Sequence, residues 1–391
     1  MLNTPFSPWP SYSDEEAEVV ARVLRSNKVN YWTGEETKSF EREFAKWIGI
    51  DHAVAMANGT VSLDAVWKVL GIGPDDEVIT TPRSFIASAS SIVMAGGWPV
   101  FADVDRNSQN ITPESVTPLI NKRTRAILCV HHAGWPCDMA GFRKLADAHG
   151  LALIEDCAQA HGAAIGGRSV GTFGDMSAWS FCQDKIITTG GEGGMVTTAD
   201  NALRNALWSV KDHGKSYDAV HSRQKEPGFR WLHESWGSNW RMTEMQGAIG
   251  RIQLRRMSEW HAARKRNAEM LADAFRDMPA LRVPLPEKGI EHAWYRFSAF
   301  VRPEALADGW TRDRILLEVA EAGVPCFSGG CPEIYREKIF IDTGLAPRQR
   351  LPAAAELGET SLMFLVHPTL TENEIATTIE AVASVVWRAT R

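Results

Sequence analysis

Short apolar runs alternate with amphipathic stretches along most of the chain. The runs fall at 53–57, 77–80, 100–104, 126–130, 151–154 and 177–181. Each is too short for a helix and is followed by Gly, Pro, Asn or Asp, the punctuation that ends buried strands. Strands separated by helices predict an α/β fold: a three-layer unit with a mostly parallel sheet and helices on both faces. Ser13 and Glu16 form a capping-box pattern that opens a helix, with Ala17, Val20 and Leu24 predicted on its apolar face. The uncharged run 84–102 approaches the length of a membrane span, but its four serines, Gly96, Gly97 and Pro99 predict a buried helix and strand instead.

Periodicity fades over 215–240, where Trp231, Trp236 and Trp240 cluster, and the segment reads as a long functional loop. A helix is predicted at 243–257. Beyond it the order changes to helix 266–275, strand 293–301, helix 311–322, strand 361–366 and a last helix from Glu372. This predicts a smaller α+β unit at 261–391 after a large unit at 1–260.

A chain of 391 residues accommodates two or three domains of about 150 residues each. Its hydrophobic (44%) and charged (23%) fractions match a soluble globular protein and exclude a disordered or collagen-like chain. The formal charge of −6 argues against nucleic acid as a partner. Six cysteines without a C-x-x-C pair read as buried apolar residues, and Met1 to Glu16 lacks a signal-peptide pattern. Both suit a cytoplasmic protein with no membrane partner.

In an open parallel sheet, ligands collect at the carboxyl ends of strands, so chemistry is sought just after each apolar run. Asn58-Gly59-Thr60 follows the first run and opens a helix, whose free N–H groups and partial positive charge suit an anion. An ordinary turn capped by Thr60 is the plainer alternative. Glu155 and Asp156 end another run, with Gln159 and His161 close behind. A carboxylate there can keep a heterocyclic nitrogen protonated, or merely cap a helix; His161 reads as structural. Lys185 follows the sixth run, flanked by Ile186 and Ile187, and a glycine run occupies 190–194. Desolvation there would lower the lysine pKa and favour the neutral, nucleophilic amine. Ser180, five residues earlier, can donate to a phosphate.

Taken together, these segments resemble the DegT/DnrJ/StrS family of pyridoxal phosphate (PLP)-dependent sugar aminotransferases, of the aspartate-aminotransferase fold type (fold type I). The similarity runs from about Ser13 to the C-terminus. It is densest at 57–60 (Ala-Asn-Gly-Thr), 71–78, 99–105, 154–162, 180–185 (Ser-Phe-x-x-x-Lys), 190–194 and 237–244. The resemblance implies that Lys185 carries the cofactor, Asp156 pairs with its pyridinium nitrogen, and Gln159 bonds its 3-hydroxyl. It assigns Gly59, Thr60 and Ser180 to the phosphate and Phe85 to the ring face. Asn239 matches a family residue that reaches the phosphate of the neighbouring subunit, implying a homodimer with shared active sites. Lys185 stands where related dehydratases carry His, which favours transamination.

The implied reaction takes an amino group from L-glutamate to a keto-sugar, in this family most often a nucleotide-linked 4-keto-6-deoxyhexose, for surface polysaccharide or natural-product biosynthesis. A sugar without a nucleotide is the alternative within the same chemistry. A PLP-binding regulatory protein is the alternative outside it, opposed by the intact Lys185, Asp156 and Gln159. Two segments depart from the family pattern. Trp135 stands in Gly-Trp-Pro-Cys-Asp-Met (134–139), where many members carry Gln, and is expected to reshape the sugar pocket. The run 323–331 replaces a common His-Tyr-x-Pro-Leu-His segment.

Overall fold

All six apolar runs form strands: β1 His52–Met56, β2 Glu77–Thr80, β3 Trp98–Phe101, β4 Thr124–Val130, β5 Ala152–Asp156 and β6 Met176–Ser180. The computed structural model describes residues 5–222 and 229–391. A seventh strand, β7 Gly194–Thr198, was not legible, because only Met195 and Val196 are apolar between a glycine run and two threonines. The order is β1-β7-β6-β5-β4-β2-β3. β7 runs antiparallel to both neighbours, and the remaining pairs are parallel. Successive residues alternate between the two faces of the sheet: Val54, Leu128 and Val130 share one core, whereas Ala55 joins a second and Ile127 and Cys129 a third. Burial on both faces is what a parallel sheet requires.

β3 ends earlier than its apolar run because the chain leaves the sheet at Asp103. That carboxylate accepts the backbone N–H groups of Ala353 and Ala354 at 2.9 and 3.0 Å, at the start of the helix Pro352–Thr360. The run 84–102 is a helix, Ala87–Met94, followed by β3.

The capping box of Ser13 and Glu16 opens the helix Asp14–Arg25, but its buried face is Glu16, Val19 and Val23 rather than Ala17, Val20 and Leu24. Val19 and Val23 pack on Ala248 and Ile252, and Glu16 reaches Arg256 at 2.8 Å, which rotates Ala17 and Leu24 into solvent.

The helices expected at 243–257 and 266–275 are one, Glu244–Phe275, capped by Thr243 and Gln246. No Gly or Pro interrupts 258–265, and Trp260, Ala263 and Arg264 are buried along it. The expected division at 260/261 therefore falls inside a continuous helix. Leu254, Met257 and Trp260 join the core of the large sheet, whereas Ala268, Leu271 and Phe275 join a second core with Phe297, Phe364 and Val382. That second core covers an antiparallel sheet of Leu281–Arg282, Phe297–Val301, Ser361–Phe364 and Cys326–Phe327, in that order. The chain closes with the helix Glu372–Ala389.

The loop expected at 215–240 is irregular where described, with a short helix Tyr217–His221 and bridges from Asp212 to Asn239 and Lys215 to His233. Its residues 223–228, like residues 1–4 of the N-terminus, lie outside the described residues. Among the described residues no helix is long and apolar enough to cross a membrane.

Candidate active site

The carboxyl ends of β1, β5 and β6 open into one cleft of about 550 Å³. Gly59, Thr60, Phe85, Asp156, Gln159, Ser180 and Lys185 all line it. Asn239 does not; it is exposed on the 215–240 loop, its backbone bridged to Asp212.

The helix Gly59–Leu70 starts at one side of the cleft. Its cap is Asn58, whose side chain accepts from Val61 N at 3.0 Å, so Thr60 is not the cap and its hydroxyl is free for a ligand. The N–H groups of Gly59 and Thr60 stand in the first turn, where a helix offers no internal acceptor. A Cβ at position 59 would come within 2.6 Å of the Ser180 Cβ, so only glycine lets this turn and β6 approach so closely. Ser180 Oγ accepts from Cys182 N at 3.3 Å, which leaves its own proton to donate.

Asp156 ends β5 on the cleft floor and is almost wholly buried. It accepts from Ser88 Oγ at 2.8 Å and Ala158 N at 3.1 Å. No cation stands within ion-pair distance of it among the described residues. Burial raises its pKa, and the two hydrogen bonds and the more distant Lys185 offset this only partly. Gln159 accepts from Ala133 N at 2.7 Å through Oε1, so its NH₂ remains the free donor.

Lys185 lies between the cleft and the wholly buried Ile186 and Ile187. Its backbone carbonyl accepts from Trp9 Nε1 at 2.9 Å. Its Nζ is 3.5 Å from Asp184 Oδ1 and 5.2 Å from the centre of the Tyr295 ring, whose hydroxyl donates to Asp184. The expected lowering of its pKa is corrected here. Burial does pull the value down, but Tyr295 and Asp184 outweigh it and the net shift is upward, which favours the ammonium form of the free amine.

Sequence reasoning did not single out Ser88, Asp184 or Tyr295. Ser88 belongs to an ordinary-looking serine run, and Tyr295 meets Asp184 across 111 positions, a pairing no local pattern announces. Trp135 is not in the cleft wall; it packs edge-on against His292 with ring centroids 5.6 Å apart, and Asn110 holds its carbonyl. Gly329, Gly330 and Cys331, from the second departing segment, do line an adjoining cavity. His161 is buried against the rings of Trp179 and Phe181, behind the cleft.

The sequence matches the DegT/DnrJ/EryC1/StrS aminotransferase family over residues 10–383. The chain belongs to that family. Among solved structures, an aminotransferase from Psychrobacter cryohalolentis superposes with a TM-score of 0.97 at 56% identity, covering 98% of this chain and all of that one. Among curated relatives, GDP-perosamine synthase of Vibrio cholerae is 37% identical over 295 residues, 75% of this chain and 77% of the relative. The dTDP-3-amino-3,4,6-trideoxy-alpha-D-glucose transaminase of Streptomyces venezuelae is 33% identical over 375 residues, 95% of this chain and 93% of the relative. The protein is thus an aminotransferase of fold type I, in a family whose members use PLP and act on sugars.

The residues present fit that cofactor. A helix N-terminus with unbonded N–H groups suits its phosphate, the buried Asp156 lacks the cation that a pyridinium nitrogen would supply, and Lys185 offers the amine in the same cleft.

Proposed function

We propose that the protein transfers an amino group from L-glutamate to a nucleotide-linked keto-sugar, a 4-keto-6-deoxyhexose in the leading version, with PLP held in the 550 Å³ cleft. The observation that carries this reading is a lysine amine sharing one cleft with a buried, cation-free carboxylate and the opening turn of a helix. The GDP- and dTDP-linked compounds named for the two curated relatives support a nucleotide-linked substrate.

When bound, PLP supplies a carbonyl that carries the amino group between substrates and a ring that draws electrons from the substrate carbon. The chain supplies the rest. Gly59, Thr60 and Ser180 hold the phosphate; Phe85 stacks on the ring; the Gln159 NH₂ donates to the ring oxygen. Asp156 keeps a positive charge on the ring nitrogen, the counter-charge its own burial calls for. Lys185 would attach the cofactor; once displaced, its amine would move a proton from the donor's reacting carbon to the cofactor carbon that carries the amino group, and in the second half-reaction from that carbon to the sugar carbon. Asp184, itself bonded by Tyr295, steadies the ammonium form of Lys185. The exposed Asn239 suits a role in a second subunit's cleft, and we read the protein as a homodimer with shared sites. Trp231 and Trp236, both highly exposed, lie on the same loop.

The test is to supply PLP and L-glutamate with a panel of GDP-, UDP- and dTDP-linked keto-sugars and their unlinked counterparts, following 2-oxoglutarate. Turnover confined to nucleotide-linked substrates is expected. Preference for an unlinked sugar would reject that part of the reading, and absence of 2-oxoglutarate with every pair would reject the whole. Borohydride treatment of the holoprotein should leave the reduced cofactor on the peptide that contains Lys185.

Asp156→Asn should lower kcat by about 10²-fold while PLP is retained. The same change should leave the cofactor-free protein at least as stable at neutral pH. The folded pKa of Asp156 lies above its unfolded value, so the ionised form costs stability above that pKa, and the cost disappears as pH falls below it. Asn removes the cost. A cofactor-free Asp156→Asn protein that melts well below wild type at pH 7 would contradict this account.

A further inference from the structure

A second cavity, of about 220 Å³, shares Phe85, Gln159, Asp184 and Lys185 with the main cleft and extends from it toward the C-terminal unit. Arg83, His132, Gly329 and Gly330 belong to its wall. Arg83 is 1% exposed, yet no carboxylate pairs with it among the described residues. Its Nε donates to Gln109 Oε1 at 2.8 Å and its Nη2 to Ser361 Oγ at 3.0 Å, both neutral acceptors, and Nη1 has no partner. Burial pushes its pKa down to about 10, with the Cys331 thiol raising it and Arg312 lowering it, so it remains a cation at neutral pH. His132, held through its backbone by Asn110, also has no partner for Nδ1. Burial and then Arg83 bring its pKa to about 3, leaving a neutral imidazole with one proton to donate.

A buried cation whose two hydrogen-bond acceptors are neutral, and which a second cation, Arg312, disfavours further, carries a desolvation cost that those bonds do not offset. Among the described residues no carboxylate stands within ion-pair distance of it, and the cavity it lines reaches Lys185. The loop across this space carries Gly329 and Gly330. A Cβ at Gly329, whose φ is +97°, would stand 3.5 Å from Arg83 Nη2, and one at Gly330 would stand 3.9 Å from His132 Cε1.

We propose that this cavity is a carboxylate subsite, in which Arg83 and the neutral His132 receive an acid group of a substrate whose reacting carbon stands at Lys185. The proposal rests on the aminotransferase reading above and adds to it the chemistry the second cavity selects. Two acids meet the description: a carboxylate of the amino donor, and a carboxylate on the sugar. In the first case Arg83 sets the choice of donor; in the second it makes a keto-uronic acid the preferred acceptor.

Binding of non-reacting probes to the PLP-loaded protein, measured by calorimetry, separates these. Glutarate is compared with glutaramide, and glucuronate with glucose. Wild type is expected to bind one or both acids about 10- to 100-fold more tightly than the neutral counterpart, and Arg83→Gln to remove that preference. Loss of the glutarate preference identifies the donor carboxylate; loss of the glucuronate preference identifies the sugar acid. Because Arg83→Gln also disturbs the bonds to Gln109 and Ser361 and can compromise folding, Gly330→Val provides a second variant. It leaves Arg83 in place, narrows the cavity, and should weaken the same acid by about 10-fold. Acids that bind wild type no better than their neutral counterparts, or a preference that survives both variants, overturn the subsite. Since the probes do not react, failure of the 2-oxoglutarate assay would reject the proposed reaction without deciding this result.

Discussion

Lys185→Ala is expected to lower amino transfer by more than about 10³-fold while leaving the protein folded. The proposed chemistry asks two tasks of this amine, attachment of the cofactor and movement of a proton, and alanine performs neither. The fold asks little of it. Among the described residues its ion pair is the 3.5 Å contact with Asp184, and Asp184 keeps the hydrogen bond from Tyr295 when the amine is gone. A change of less than about 2 kcal/mol in unfolding free energy is therefore expected. Single-turnover transfer from L-glutamate, read beside a thermal melt, tests both halves. Transfer at wild-type rate would remove Lys185 from the chemistry. A collapsed melt would show the residue to be structural.

The neighbour of Asp156 should give the largest stability effect. Glu155→Ala is expected to destabilise the protein by about 3–5 kcal/mol and to lower Tm by roughly 5 °C or more. Glu155 is wholly buried. Its two oxygens accept from Gly171 N, Phe173 N and Gly174 N, each at 2.8 Å, from Ser177 Oγ at 3.2 Å and from His131 Nε2 at 3.0 Å. Cys137 N donates to His131 Nδ1, which fixes the tautomer that donates to Glu155. Alanine would strand all five donors in a space closed to water. Burial pushes the Glu155 pKa up, but His131 and the backbone donors of Gly171 and Gly174 outweigh it, and the net shift is downward. A carboxylate depressed in the fold contributes stability above its unfolded pKa and loses it as pH falls through the folded one. The gap between wild type and Glu155→Ala should accordingly shrink on acidification from pH 7. Equal melting temperatures at pH 7 would refute the assignment of Glu155 as the anchor of the 171–174 turn.

Much of this architecture could be read from local pattern, and the exceptions share a cause. The six buried strands announced themselves because each is a compact apolar run closed by a turn residue, and the residues after β1, β2, β5 and β6 line the cleft. Lys185 stood out because a cation between two isoleucines is poorly placed on a surface. β7 did not stand out, because its neighbours supply the burial that its own glycine and threonines do not advertise. The face of the first helix was misjudged by one position, because Glu16 reads as polar yet is buried by Arg256. Trp135 looked like a pocket residue by its place in a motif, whereas its ring turns to His292, 157 positions away. Arg83 follows β2 in a segment whose local pattern gives it no special place. That its hydrogen bonds go to Gln109 and Ser361 rather than to an acid is a property of three-dimensional neighbours and appears in no stretch of sequence.

The 32-residue helix Glu244–Phe275 has a practical bearing on any attempt to exchange specificities within this family. The segment 329–331 and Ser361 reach the second cavity from the C-terminal part of the chain, while Lys185 and Arg83 reach it from the N-terminal part. A chimaera joined near 260 would splice two half-helices whose opposite ends were fitted to different hydrophobic interiors. Grafts that begin after Phe275 keep that rod from a single parent and need only match the incoming core to Ala268, Leu271 and Phe275.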